Sequence, residues 1–176
     1  MKLKLAVNKG CLNKTNPQDV AHGWLNISES IEWLEGWVKA GYGWCSTHFA
    51  NRHRLTDNAC GSNVIVIDID GDTTLARFWS TTTARQWCAA TYTSSSHSEQ
   101  EHRFRALFPL GMELESVAQH RGAYWLVVNR LLADVGLDKL KDNCGQKTER
   151  LWFGNQKADF TFNSEADPVP DFLLQD

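Results

Sequence analysis

One stretch of this chain has the apolar pattern of a buried strand. Residues 63–69 read Asn-Val-Ile-Val-Ile-Asp-Ile, and Asp70 and Gly71 follow at once. Because side chains alternate between the two faces of a strand, Asp68 and Asp70 share one face with two valines, and three isoleucines occupy the other face. The pattern therefore predicts a strand that ends in two carboxylates, about 7 Å apart at Cα.

The rest of the chain divides into helices and strands on similar grounds. Helical spacing of apolar residues, with Asn26 as a cap and Gly41 and Gly136 as stops, predicts three helices. These helices cover 26–40, 74–88 and 113–135, and the second is broken by a threonine cluster. The predicted strands cover 42–49, 63–69, 89–95, 103–108, 150–153 and 159–162, with a polar loop over 50–62. Strands and helices mix without regular alternation, which favours the α+β class.

The composition is that of an ordinary globular domain. Of 176 residues, 42% are apolar and 22% are charged, and the net charge of −3 provides no global basic field for nucleic acid. We interpret residues 1–176 as a single catalytic domain, and the final DPVPDFLLQD segment suggests that it is cut from a longer protein. Without a signal peptide or an apolar run of about 18–20 residues, we expect a cytoplasmic protein that does not bind membranes.

The five cysteines form no CxxC pair. This odd number argues against a disulfide framework and a zinc knuckle, and it fits a reducing compartment. Cys45 and His48 have the spacing of half a zinc site, but no partner pair follows. We therefore interpret both residues as structural.

The two carboxylates of the predicted strand form a candidate metal site. At the end of a buried apolar strand, two such anions repel each other and lose hydration, so their placement costs stability unless a cation binds. Mg²⁺ is commonly bound by one or two carboxylates together with substrate phosphates, which is what Asp68 and Asp70 could supply. The alternative is an ordinary strand-to-turn transition that is rich in aspartate.

The strands predicted over 89–95 and 103–108 carry side chains that suit an anionic ligand. If the first strand continues, Ser95 and His97 fall on one face. Arg103 and Arg105 share a face of the second strand, and paired arginines suit bidentate phosphate recognition. A solvated basic face beside a surface histidine is the alternative interpretation of the same residues.

The order of these segments resembles the three-motif pattern of the archaeo-eukaryotic primase superfamily. The stretch TYTSSSHSEQEHRFRALFPL is similar to the primase–polymerase domains of plasmids, phages and related mobile elements, and the resemblance covers about residues 45–155. The residue roles that it implies are metal binding for Asp68 and Asp70, nucleotide binding for Ser95 and His97, and contacts to the nucleotide or template backbone for Arg103 and Arg105.

The resemblance also implies an activity and a fold. The activity is template-directed nucleotidyl transfer by two Mg²⁺ or Mn²⁺ ions, as in a primase or DNA polymerase that replicates a mobile element or phage. The implied partners are a DNA template and primer, nucleoside triphosphates, and a fused or associated helicase. The implied fold is a catalytic core with an RNA-recognition-like sheet beside a smaller N-terminal α/β module.

A third metal-binding aspartate is implied after the long helix. Asp142 lies eight residues before Arg150, a spacing typical of these domains, while Asp138 and Asp159 remain alternatives. Two metals beside a triphosphate need more anionic ligands than one pair of carboxylates gives. We therefore predict that the Asp142 carboxylate lies within about 6–8 Å of those of Asp68 and Asp70.

Two other functions compete with this interpretation. The run VIVIDIDGD resembles the nucleophile strand of haloacid-dehalogenase-type phosphatases, with Asp68 as nucleophile and Asp70 as acid and base. Asp72 stands where that family expects threonine or valine, and the strand begins only after some sixty residues. A catalytically degenerate nucleic-acid-binding module is the second alternative. A nicking replication initiator is disfavoured because the sequence contains no HxH pair.

Overall fold

The computed structural model describes residues 1–12, 15–16 and 18–174. In these parts of the chain the strands are β1 (Leu3–Leu12), β2 (Leu25–Glu29), β3 (Tyr42–Cys45), β4 (Ser62–Asp70), β5 (Ala90–Thr93), β6 (Arg103–Leu114) and β7 (Phe160–Phe162). The helices are α1 (Ile31–Lys39), α2 (Leu75–Ser80), α3 (Thr82–Trp87) and α4 (Val117–Val135). Among the helices described, none combines the length and apolar character needed to cross a bilayer.

The strands form two antiparallel sheets. The first has the order β2-β1-β3, and the second has the order β4-β6-β5-β7. In the second sheet, β4 pairs with β6 along most of its length. Antiparallel sheets combined with helices agree with the predicted α+β class.

The second sheet lies between two hydrophobic clusters. On one face, Ile65, Ile67 and Ile69 pack against α2, α3 and α4. On the other face, Val64 and Val66 pack against α1 and the first sheet. A strand that is covered on both faces has a nearly continuous apolar sequence, which is why this segment was the clearest strand prediction. Within β4, only Asn63 near its start and the two aspartates at its end are partly exposed.

The helix predicted over 26–40 is shorter in the structure. Residues Leu25–Glu29 form β2, which pairs with β1. Ser30 caps α1 by accepting a hydrogen bond from the Trp33 N–H, so the prediction of Asn26 as the cap is wrong. The Asn26 side chain instead exchanges two hydrogen bonds with the backbone of Phe49. Pairing with β1 therefore overrides the local helical spacing.

The long helix begins later than predicted, but ends where expected. Glu113 belongs to β6, and Ser116 starts α4 through a capping box with Gln119. Gly136 ends the helix at φ 71°, a left-handed conformation that glycine adopts without strain. The broken helix over 74–88 is confirmed as α2 and α3, with Thr81 as the cap between them.

Most of the other predicted strands are present, with changed ends. The strands predicted over 42–49, 63–69, 103–108 and 159–162 correspond to β3, β4, β6 and β7. The segment over 150–153 is wrong as a full strand, because only Trp152 pairs, in an isolated bridge with Trp44. This bridge joins the C-terminal segment to the first sheet.

Candidate functional site

Strand pairing sets each carboxylate of β4 opposite an arginine of β6. Asp68 is the register partner of Arg105, and Asp70 is the partner of Arg103. The Arg103 Nε atom lies 2.9 Å from an Asp70 carboxylate oxygen, and the Arg105 Nε atom lies 3.7 Å from one of Asp68. Unlike charges directly opposite each other stabilise antiparallel pairs. The acidic pair and the basic pair recognised in the sequence therefore share one face of one sheet.

The Arg105 guanidinium is held in place by its surroundings. Its Nη1 donates to the Tyr92 hydroxyl at 3.1 Å and to the Phe153 carbonyl oxygen at 2.8 Å. The rings of Tyr92 and Trp152 lie 5.4 and 5.3 Å from the guanidinium carbon. Its Nε is buried, and no described residue accepts a hydrogen bond from it. A fixed cation with a spare donor is suited to an anionic ligand.

The Asp68 carboxylate is the least satisfied charge at this site. Its side chain is only 17% exposed, and within the described residues no hydrogen bond reaches it. Burial raises the pKa of Asp68 above its usual range, the Arg105 guanidinium opposes this, and the Asp142 carboxylate adds to it. A carboxylate in such surroundings gains stability from a bound cation.

A loop after α4 brings Asp142 beside Asp68. One ligand atom each from Asp68, Asp142 and Cys144 lie within 4.8 Å of one another. Asp142 Oδ1 accepts a hydrogen bond from the Cys144 backbone N–H at 2.7 Å, which fixes the carboxylate within its loop. The proximity to Asp68 is what the sequence led us to expect of Asp142. Asp70 is outside this group and faces Arg103 instead.

Gly145 allows this loop to pack directly against the sheet. A Cβ atom at Gly145 would lie 2.1 Å from the Val66 carbonyl oxygen and 2.7 Å from the Tyr124 ring. The Gly145 carbonyl oxygen accepts a hydrogen bond from His120 Nε2 at 3.0 Å. The loop therefore rests directly on the β4 backbone, two residues before Asp68, in a position that no larger residue allows.

Asp72 joins the end of β4 to the same loop. Its Oδ2 accepts from the Asp70 N–H at 3.1 Å, and its Oδ1 accepts from the Lys141 N–H at 2.8 Å. The sequence patterns predict no role for Asp72 itself. The signal for its role is the acidic residue after Gly71, since aspartate commonly accepts hydrogen bonds from backbone N–H groups in turns.

These side chains line one cavity of about 200 Å³. Its lining consists of Asp68, Asp70, Ser94, Ser95, Ser96, Arg103, Arg105, Asp142, Phe153 and Gly154. A second cavity of about 400 Å³ adjoins it through Ser95 and Gly154. The lining of the second cavity also includes Leu12, Ala40, Gly41, Asn155, Gln156 and Lys157.

The prediction that Ser95 and His97 share a strand face is wrong. Strand β5 ends at Thr93, and the chain then turns, with the His97 N–H donating to the Ser94 carbonyl oxygen at 3.2 Å. Ser95 lines the cavity, whereas His97 does not. Instead, His97 Nδ1 accepts the Arg103 backbone N–H at 3.1 Å, so His97 supports the strand that carries the arginines.

The alternative third aspartates lie away from the cavity. Asp138 and Asp159 are both exposed, and neither lines it. Cys45 and His48, which have the spacing of half a zinc site, do not line this cavity either. Cys45 is buried in the core, and His48 Nε2 forms a hydrogen bond with the Ile27 carbonyl oxygen at 2.8 Å.

The comparisons with known proteins add a structural similarity. The sequence matches no family model and no curated protein. The structure is similar to the AEP domain of the cyanophage S-2L primase–polymerase, with a TM-score of 0.49 and 8% sequence identity. The match covers 98% of this chain and 86% of that chain. Functional conclusions for this chain therefore rest on its own side chains.

Proposed function

We propose that this chain catalyses metal-dependent nucleotidyl transfer on a DNA template, as a primase or polymerase. The observation that carries the proposal is the convergence of three carboxylates and two arginines in one cavity. Asp68 and Asp70 come from β4, Arg103 and Arg105 from β6, and Asp142 from the loop after α4. Anionic metal ligands beside fixed cations are the arrangement that a metal-bound triphosphate requires.

The carboxylates fit a hard divalent ion, Mg²⁺ or Mn²⁺. Asp68 is buried with no hydrogen bond among the described residues, and Asp142 approaches it closely. Asp70 has a 39% exposed side chain, so its ion pair with Arg103 is weak enough to be exchanged for a metal ion. When bound, such ions activate the attacking 3′-hydroxyl and stabilise the departing pyrophosphate.

The arginines and the serine turn would bind the phosphates of the incoming nucleotide. Arg103, Arg105 and Ser95 all line the cavity, and the buried Nε of Arg105 has no acceptor among the described residues. His97 would act indirectly, by holding the backbone of Arg103. The RNA-recognition-like arrangement of β4, β6 and β5 beneath this cluster forms part of the same proposal.

The sizes of the two cavities match the parts of a nucleotide. Ligand pockets generally have volumes of about 300–1,000 Å³. The first cavity, at about 200 Å³, is therefore suited to the triphosphate and its metal ions alone. The adjoining cavity of about 400 Å³ provides room for sugar, base or a nucleic-acid strand.

A primer-extension assay tests the proposal. Purified protein with a primed DNA template, deoxynucleotides and Mg²⁺ or Mn²⁺ should extend the primer, and a chelator should stop extension. Phosphate release from a small ester, with an aspartyl-phosphate on Asp68, would instead establish the phosphatase alternative. Template binding without extension under either metal would establish the non-catalytic module.

The Asp142→Asn substitution is expected to remove primer extension. The amide cannot supply the third anionic ligand, and loss of even an outer-shell partner of a metal typically costs about 10–100-fold. Asp138→Asn and Asp159→Asn are the matched controls, because both side chains are exposed and away from the cavity. Full activity in Asp142→Asn, or a comparable loss in either control, would show that the third ligand is misassigned.

Arg103→Ala is expected to weaken nucleotide binding by roughly ten- to a hundredfold, because a charge-assisted hydrogen bond is worth about 1.5–3 kcal/mol. Calorimetry with a deoxynucleotide and Mn²⁺ measures the change. Arg121→Ala on the exposed side of α4 is the control and should bind normally. Equal affinity in both variants would remove Arg103 from the phosphate site.

A further inference from the structure

We propose that Cys144 is a third protein ligand of the ion at Asp68 and Asp142, and that the site consequently binds Zn²⁺ or Co²⁺ more tightly than Mg²⁺. The inference rests on the proposed function only in placing a divalent ion at these two carboxylates. No sequence pattern singles out this cysteine, since no CxxC pair includes it.

The distances bring the three ligand atoms to one ion. The Cys144 Sγ and one oxygen each of Asp68 and Asp142 lie within 4.8 Å of one another. Three atoms this close together have a common point about 2.8 Å or less from each, whereas metal–ligand distances are about 2.0–2.3 Å. Shifts of less than about 1 Å therefore let all three atoms bind the same ion.

The position of the thiol is fixed by its loop. The Cys144 N–H donates to Asp142 Oδ1 at 2.7 Å. The next residue, Gly145, lies against the Val66 carbonyl oxygen. Cys144 is also partly buried against the core cluster that contains Val66, so its side chain has little room to turn away.

The charges balance when an ion is bound. A coordinated thiol is deprotonated, and its proton passes to solvent. Two carboxylates and one thiolate carry −3 together, which a divalent ion and the adjacent Arg105 guanidinium offset. The guanidinium need not leave, because its Nη1 remains bonded to Tyr92 and Phe153.

A thiolate changes the metal preference of a carboxylate site. Mg²⁺ demands oxygen ligands in a near-ideal octahedron, whereas sulfur ligands favour later transition metals. If the only ligands were two carboxylates, the type of ligand atom would not strongly favour the transition metals over Mg²⁺. The thiol is the feature that distinguishes this ligand set from an all-carboxylate site.

Cobalt titration of the full chain, freed of metal with a chelator, tests the proposal. The wild type should develop the ultraviolet charge-transfer absorption of a thiolate–Co²⁺ bond. Cys144→Ser should lose this absorption and bind Co²⁺ at least about tenfold more weakly, while its affinity for Mg²⁺ is unchanged or higher. Cys60→Ser is the matched control, because Cys60 is an exposed free cysteine and should leave the absorption intact.

A second variant separates ligand loss from misfolding. Asp142→Asn keeps the thiol but removes a carboxylate, so it should also lose the cobalt absorption while circular dichroism shows a native fold. No absorption in the wild type, or absorption retained in Cys144→Ser, overturns the proposal. If the cobalt absorption is present but the primer is not extended, Cys144 remains a metal ligand and the proposed polymerase function is wrong. If the primer is extended but the absorption is absent, the polymerase function remains and Cys144 is not a ligand.

Discussion

The Asp68→Asn substitution is expected to abolish primer extension and, in metal-free protein, to raise the melting temperature. Asp68 is the carboxylate that β4 places closest to Asp142, so its loss removes a ligand from the proposed metal site. We expect activity to fall more than about 100-fold, beyond the range for loss of an outer-shell metal partner.

The expected gain in stability follows from the surroundings of the Asp68 carboxylate in the metal-free protein. Its pKa is raised because burial, with the nearby Asp142 carboxylate adding to it, outweighs the Arg105 guanidinium. An asparagine removes the unfavourable charge at neutral pH. Arg105 tolerates the change, since it keeps its hydrogen bonds to Tyr92 and Phe153. For a chain of this size, each kcal/mol changes the melting temperature by about 2–4 °C.

Calorimetry in the presence of a chelator checks the stability effect, and primer extension checks the activity. The control is Asp159→Asn, an exposed acid away from the cavity that should change neither quantity. A lower melting temperature of metal-free Asp68→Asn would show that the ion pair between Asp68 and Arg105 makes a net stabilising contribution to the fold. Retained extension would exclude Asp68 from the reaction.

The sequence predicted the β4 and β6 part of the site well, for a physical reason. Both strands have period-2 patterns that the tertiary structure preserves, so Asp68, Asp70, Arg103 and Arg105 lie where alternation places them. The same rule could have identified β1, where Leu3, Leu5 and Val7 alternate and are buried.

The errors arose where a local pattern fits two structures. The apolar spacing after Asn26 suits a helix, yet the first residues of that segment form β2 because β1 offers a pairing edge. The run from Thr91 to Ser96 continues a strand pattern, but the chain turns after Thr93 to form the hairpin with β6. Pairing with distant strands decides between such alternatives, and local propensity does not.

The loop that carries Asp142 could be chosen in the sequence only by resemblance and elimination. Its position depends on contacts across more than sixty residues, including the hydrogen bond from the Lys141 N–H to Asp72. It also depends on a close approach between Gly145 and the Val66 carbonyl oxygen, which no sequence pattern reveals. No sequence pattern identifies Cys144 as a candidate ligand either, because Asp68 is distant from it in the chain.

The Gly145→Ala substitution should therefore damage both the fold and the site. Its Cβ would meet the Val66 carbonyl oxygen at 2.1 Å and the Tyr124 ring at 2.7 Å, and neither can move without disturbing β4 or α4. Overpacking of this kind costs about 1–3 kcal/mol, which lowers the melting temperature by about 2–12 °C in a chain of this size. If the loop lifts off β4 instead, Asp142 and Cys144 leave Asp68.

Gly122→Ala is the matched control, with the opposite expected sign. Gly122 lies in the middle of α4, and nothing lies within 4 Å of its Cβ position. Alanine there should raise stability by about 0.5–1 kcal/mol, because it restricts the unfolded chain and favours the helix. Thermal unfolding of the two variants, together with cobalt titration, separates the possibilities. A stable Gly145→Ala protein with normal Co²⁺ binding would show that the close approach of Gly145 to Val66 is not what holds Asp142 and Cys144 beside Asp68.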